Sequence, residues 1–219
     1  MAVLDPDDIA VLHPEDIARA RWYSFFSRWF LAPPDQDALE PLLVSAPRGT
    51  VQPEDQGSEL EQAWQDFAEA AGRESLAGMR ASYDDTFLSV GEAPVSLHAC
   101  VYLTGFSNER PLAEVRQWLA AQGIQGTHGG LLTEDHFGLL CEAMTWLIIG
   151  DGAGARRGPA LSAASDAAQE HLFLRFLAPV CDEFSRRLSD APDAGIYREL
   201  GRLFAAFMAV ERQAFEIER

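Results

Sequence analysis

The residues best suited to chemistry are an adjacent acid and histidine, Asp135 and His136, near the middle of the chain. A carboxylate that orients an imidazole is a common arrangement for general acid–base catalysis. Adjacent residues of a helix point about 100° apart, so these two side chains need not contact each other. Alternatively, Asp135 accepts hydrogen bonds from backbone N–H groups and His136 bonds a neighbouring loop. The pattern alone leaves both the catalytic and the architectural interpretation open.

The catalytic and metal-binding motifs with well-defined signatures are missing from the chain. It has no HExxH or GxSxG motif and no Glu-x-x-His pair of the kind found in di-iron bundles. Its three cysteines, Cys100, Cys141 and Cys181, form no CxxC pair and indicate neither a disulfide framework nor a zinc site. We therefore expect no resident metal, no cofactor and no catalytic residue.

The Asp135-His136 pair stands at the start of the most apolar helix that the sequence predicts. Thr133 is a suitable N-cap, and Glu134 and Asp135 would place negative charge at the positive end of the helix dipole. Apolar residues then recur at helical spacing at Phe137, Leu140, Cys141, Met144, Leu147 and Ile148. Other apolar side chains lie off this stripe, which predicts a central helix that neighbours bury on most sides.

Helical periodicity extends through most of the remaining chain, and no long alternating β pattern appears. Pro14 opens an aromatic-rich helix that Pro33 and Pro34 should end. Residues 91–108 break the pattern and are predicted to be irregular. Later helices are expected to begin near Ser162 or Ser165, near Pro179 and at Pro192. The sequence therefore predicts an all-α, multi-helix bundle.

Glycines cluster just before the central helix, at positions 123, 126, 129 and 130. Their permissive backbone predicts a hinge over residues 122–132. This hinge would join a larger N-terminal helical part, residues 1–121, to a smaller C-terminal part, residues 133–219, within one compact unit. Because short hinges allow packed halves to exchange between protomers, we expect a monomer with a minor domain-swapped dimer.

Composition and charge limit the classes of partner. Hydrophobic residues make up 47% of the 219 residues, which is enough for a sizeable core. The net charge of -17 disfavours nucleic acid and anionic membranes, and it favours a basic partner or simply solubility. The first residues lack the basic start and the apolar run that are typical of a secretory signal. No stretch reaches the ~18 apolar residues of a membrane span. We expect a cytoplasmic protein without stable membrane insertion.

Several stretches, taken in order, resemble the TorD/DmsD family of cytoplasmic chaperones. Residues 134–140, with the sequence Glu-Asp-His-Phe-Gly-Leu-Leu, and the Trp146-Leu147 pair resemble the family signature. Residues 83–88 with Gly91 and Pro94 resemble a second family region, although Thr86 stands where the family often has Leu. Further similar stretches are 115–124, 171–179 and 196–200, whereas residues 95–102 match only loosely. The resemblance covers roughly residues 80–210.

The resemblance implies a chaperone without enzymatic activity, dedicated to a molybdenum-cofactor oxidoreductase exported by the twin-arginine pathway. Such a chaperone would bind the leader peptide of the precursor until the cofactor is inserted. The leader combines an Arg-Arg pair with a short apolar segment, which suits carboxylates beside an apolar groove. The acids expected near the groove are Asp84, Asp85, Glu92, Glu134 and Asp135, and its expected lining is Tyr83, Phe87, Leu88, Pro94, His136 and Phe137.

Two functions of other classes stay open. One is a small-molecule or metal-dependent enzyme built on Asp135 and His136, which stoichiometric zinc or iron would favour. The other is a purely structural subunit of a reductase complex, which tight co-purification with the mature enzyme would favour. The residues themselves indicate neither the client enzyme nor a guanine nucleotide.

Overall fold

A computed structural model describes residues 13–39, 42, 58–88, 93–105, 110–124, 132–150 and 159–217, with the backbone alone at 159–164 and 217. These residues are largely helical and include one isolated antiparallel bridge, which confirms the predicted all-α, multi-helix fold. The helices are α1 (Pro14–Leu31), α2 (Glu59–Arg73), α3 (Leu76–Phe87), α4 (Ala99–Thr104), α5 (Arg110–Ala121), α6 (Phe137–Ile149), α7 (Pro159–Leu172), α8 (Cys181–Asp190) and α9 (Tyr197–Ile217), with a 3₁₀ turn at Gln36–Leu39 and a π-helical turn at Phe173–Leu177.

Helix α1 lies within an aromatic core. Its ring residues Trp22, Tyr23, Phe25, Phe26, Trp29 and Phe30 are all buried. Phe25 packs edge-on against Phe67 of α2, with 5.6 Å between ring centroids, and Phe26 packs against Phe204 of α9 at 5.0 Å. Edge-to-face pairs of this kind contribute about 0.5–1.5 kcal/mol each beyond the burial of their area. The aromatic periodicity of α1 therefore marks the core.

Helix α6 packs along α1, and the closest approach requires a residue without a side chain. A Cβ atom added to Gly138 would lie 2.6 Å from Leu31 Cγ. The Leu31 side chain can pack directly on the backbone of α6 because glycine has no Cβ atom. Gly138 follows His136 and Phe137 in the chain, so this contact fixes the start of α6 against the end of α1.

Helices from both sides of the predicted hinge share one hydrophobic core. Helix α1 packs on α6, α2 packs on α9, and Phe87 of α3 meets Tyr197 of α9 at 5.1 Å between ring centroids. Residues 125–131 of the hinge lie outside the described residues, and Gly123 occupies a left-handed turn with φ of 76°. The division at the hinge and the domain-swapped dimer stay predictions.

Helix α6 begins three residues later than predicted, at Phe137 instead of Glu134. Its N-cap is His136, whose Nδ1 accepts a hydrogen bond from Gly138 N at 3.1 Å. The prediction that Thr133 caps this helix was therefore wrong. The Thr133 hydroxyl donates to the Asp135 carboxylate instead, because that buried carboxylate requires donors.

Other boundaries also differ from the predictions. Helix α7 begins at Pro159, ahead of Ser162, because proline lacks the N–H that a first helical position would leave unbonded. Helix α9 begins at Tyr197 instead of Pro192, since Gly195 adopts a left-handed turn with φ of 49°. The stretch that was predicted to be irregular contains the short helix α4.

None of the helices in the described ranges has both the length and the apolarity needed to cross a membrane.

Candidate functional site

The isolated bridge joins the Asp135-His136 motif to the segment 93–98. Phe137 N donates to Leu97 O at 2.8 Å, and Ala99 N donates to Asp135 O at 2.9 Å. Val95 N donates to Thr86 O at 3.1 Å, which ties the other end of this segment to the last turn of α3. Three stretches that are distant in sequence therefore lie along one connected path.

Asp135 is buried at the centre of this arrangement. Its Oδ1 accepts from the Thr133 hydroxyl at 2.5 Å and lies 3.3 Å from His98 Nδ1. Its Oδ2 accepts from Cys100 N at 3.2 Å. Because Cys100 is the second residue of α4, Asp135 caps α4 from a distant part of the chain. The predicted role as a helix cap is correct in kind, but the capped helix is α4 and not α6.

The surroundings of Asp135 keep its carboxylate charged. Burial by itself raises the pKa of Asp135, but the hydrogen bonds from His98, Thr133 and Cys100 together outweigh it and hold the pKa well below the ordinary value. A general acid or base works best with a pKa near the operating pH. Asp135 is therefore suited to act as a structural anion.

His136 and His98 have separate roles. The Nδ1 of His136 accepts from the backbone, so a neutral ring carries its proton on Nε2. The imidazole at hydrogen-bonding distance from Asp135 is that of His98, whose ring lies edge-on to His136 with 5.2 Å between centroids. His98 was not singled out from the sequence, because no local pattern indicates a side-chain contact between residues 37 positions apart.

The predicted site residues divide into a buried and an exposed group. Tyr83, Phe87, Asp135, His136 and Phe137 are buried. Within the core, the Tyr83 hydroxyl donates to Phe30 O at 3.0 Å, and the ring centroids of Phe137 and Phe184 are 4.3 Å apart. Asp84, Asp85, Leu88 and Pro94 are exposed, whereas Glu134 is half-buried. Glu92 lies outside the described residues.

The exposed group combines negative charge with apolar surface. Asp84 and Asp85 lie in the last turn of α3, where no basic residue offsets the negative end of the helix dipole. Leu88 follows as the C-cap and is 59% exposed, the highest value for a large hydrophobic residue in the described part of the chain. An uncompensated acidic helix end beside an exposed leucine has the chemistry of a surface for a cationic, partly apolar partner.

Replacing Asp135 by asparagine should lower the free energy of unfolding by about 1–3 kcal/mol at neutral pH, because charge-assisted hydrogen bonds are lost. The folded pKa of Asp135 lies below its unfolded value of about 3.9, so its stabilising contribution is present above that value and is lost as the pH falls through the folded pKa. The difference in the free energy of unfolding between Asp135→Asn and wild type should therefore become smaller as the pH falls. Urea unfolding from neutral to acidic pH checks this prediction, with Asp85→Asn as the exposed control. Equal midpoints at neutral pH for both variants and wild type would contradict the capping role.

No arrangement of three His, Cys, Asp or Glu side chains in the described ranges is suited to hold a metal ion. The hydrogen bonds of Asp135 and His136 go to neighbouring backbone and side-chain groups, as in a structural cluster.

Comparison with known proteins identifies the family. The family described as nitrate reductase delta subunit matches residues 54–186, a range that contains both sides of the bridge and α2 to α7. A search of curated proteins found no match to the chain. Members of the matched family are chaperones for molybdoenzyme maturation, in agreement with the resemblance to TorD/DmsD chaperones. Since the match covers more than half of the 219 residues, the chain belongs to the nitrate reductase delta subunit family.

Proposed function

We propose that this protein is a chaperone that binds the twin-arginine leader of a molybdenum-cofactor oxidoreductase. It would hold the precursor until the cofactor is inserted. Membership of a family of molybdoenzyme chaperones supports the general role, and the net charge of -17 suits a basic peptide. The observation that carries the proposal is the surface of the exposed Asp84, Asp85, Leu88 and Pro94 with the half-buried Glu134, which we call the acidic strip.

The segment 93–98 connects the two acidic parts of the strip. The segment 93–98 is bonded to the last turn of α3 at Val95, and its end at His98 contacts Asp135, next to Glu134. An extended chain covers at most ~3.3–3.6 Å per residue, so the Cα atoms of Val95 and His98 are at most about 11 Å apart. In this proposal, a short extended part of the leader follows the segment 93–98 between the end of α3 and the loop that carries Glu134.

The charged and the apolar residues of the strip suit different parts of the leader. Asp84 and Asp85 repel each other and the negative end of the α3 dipole, so a bound guanidinium would relieve an unfavourable charge distribution. Guanidinium and carboxylate groups also form two parallel hydrogen bonds. The apolar segment of the leader would cover Leu88 and remove its exposed surface from water. In this proposal, the buried side chains of Asp135 and His136 and the backbone N–H of Phe137 hold the shape of the strip.

The alternative of an enzyme built on Asp135 and His136 is less well supported. The hydrogen bonds of Asp135 cap α4 and keep the carboxylate charged, and His136 accepts from the first turn of α6. Both side chains are also buried, which separates them from a substrate in solution.

The double variant Asp84→Asn/Asp85→Asn tests the acidic strip. We expect it to weaken leader binding by about 1–2 kcal/mol, roughly five- to thirtyfold in Kd, because two contacts to guanidinium groups are lost. The measurement is a calorimetric titration with a peptide of the leader sequence.

The matched control is Glu59→Gln/Glu61→Gln, which removes the same number of charges from exposed positions of α2. This control should leave Kd nearly unchanged. Equal losses in both double variants would show that only overall charge matters, and unchanged binding in both would exclude the acidic strip as the site.

A further inference from the structure

We infer that Arg116 is an internal competitor that occupies the Glu134 end of the acidic strip and that an arginine of the leader displaces. This inference rests on the proposed function and specifies how the same site is regulated. It concerns a single contact between α5 and the loop that precedes α6. In the free protein, this contact keeps Glu134 paired with a guanidinium from the chain itself.

The contact between Arg116 and Glu134 has the geometry expected for an arginine ligand. Arg116 Nε donates to one oxygen of Glu134 and Nη2 donates to the other, both at 2.8 Å. The Arg116 guanidinium also lies within the electrostatic influence of Asp135, since the negative charges of both carboxylates raise its pKa. A guanidinium from the chain therefore occupies the position where a leader arginine would be bound by the same two oxygens.

Because the pair is partly exposed, replacing the Arg116 guanidinium by one from the leader costs little free energy. The Arg116 side chain is 57% exposed and that of Glu134 is 29% exposed, so water can solvate the guanidinium once it is released. Exposed pairs contribute little to stability, and one bidentate guanidinium replaces another without loss of a hydrogen bond. A lysine ammonium cannot reproduce the planar fork, so it displaces Arg116 less effectively.

The test compares leader binding to wild type, Arg116→Gln, Glu134→Gln and the double variant Arg116→Gln/Glu134→Gln. We expect Arg116→Gln to bind the leader peptide two- to fivefold more tightly, because the carboxylate no longer has to be freed. Glu134→Gln should bind more weakly than wild type. The double variant should bind no more tightly than Glu134→Gln, since the Glu134 carboxylate for which Arg116 and the leader compete is absent from both.

A matched control separates competition from overall charge. Arg175 forms an equivalent bidentate pair with Glu114, which lies on α5 as Arg116 does. Its Nε and Nη2 donate to the two oxygens of Glu114 at 2.9 and 2.7 Å. Arg175→Gln removes the same charge outside the acidic strip and should leave Kd unchanged. The inference is overturned if Arg116→Gln binds no more tightly than wild type, or if Arg175→Gln gives the same gain. A wild-type protein that binds no leader would instead overturn the proposed function, and this inference with it.

Discussion

Replacing Glu211 by alanine should destabilise the protein by about 3–5 kcal/mol, because it leaves a largely buried arginine without its nearest and only buried carboxylate partner among the described residues. The Glu211 side chain is 1% exposed, and its carboxylate accepts from Arg19 Nε at 2.8 Å and from Arg19 Nη2 at 3.0 Å. The Tyr23 hydroxyl donates to the same carboxylate at 2.8 Å. Arg19 also donates to Gln169 at 3.0 Å, so this network joins α1, α7 and α9.

Urea unfolding of the variant provides the measurement, with Glu216→Ala on the exposed side of α9 as control. The double variant Arg19→Met/Glu211→Leu should lose less stability than the two single changes added together, because it removes both buried charges at once. A loss below about 1 kcal/mol in Glu211→Ala would show that the network contributes no more than an exposed ion pair does.

Replacing Phe137 by alanine should also destabilise the protein by about 3–5 kcal/mol, the usual range for a buried phenylalanine. Its side chain is fully buried, and its ring lies against Phe184 at 4.3 Å and near Tyr102 at 5.8 Å between centroids. Because the ring belongs to the core and not to the acidic strip, the folded variant should bind the leader with wild-type affinity.

Leu88→Ala is the reciprocal control for Phe137→Ala. Leu88 is exposed, so its truncation should change stability by less than about 0.5 kcal/mol and should weaken leader binding. A denaturant midpoint and a peptide titration on each variant decide between the two roles. A Phe137→Ala protein with a wild-type midpoint and weakened binding would mean that the leader reaches this ring.

The helical fold could be predicted because its main determinant is local. Leu76, Met79, Tyr83 and Phe87 recur at helical spacing, and α3 extends from Leu76 to Phe87. The same spacing identifies which side chains leave water but not which partner covers them. The resemblance to TorD/DmsD chaperones implied that Tyr83 and Phe87 line a groove, and in the structure both rings pack against Tyr197 of α9.

The candidate site could be predicted only in part, because its contacts join distant residues. The residue type at Asp135 indicated a carboxylate bonded to backbone N–H groups, but the α4 amide that it caps lies 35 positions earlier in the chain. Thr133 and His98 complete that cluster, and no local pattern specifies their association. Sequence alone likewise gives no reason to expect Arg116 on Glu134, since a surface ion pair leaves no periodic pattern.

The most direct test of the proposed function is a calorimetric titration of the wild-type protein with a twin-arginine leader peptide and with its Lys-Lys counterpart, each at low and high salt. Binding through the acidic strip predicts a measurable Kd for the arginine peptide that rises with salt, because exposed charges are screened over ~8–10 Å at physiological ionic strength. It also predicts weaker binding of the lysine peptide, which cannot form the bidentate contact. No binding of the arginine peptide, or an equal and salt-independent Kd for both peptides, would contradict the proposal.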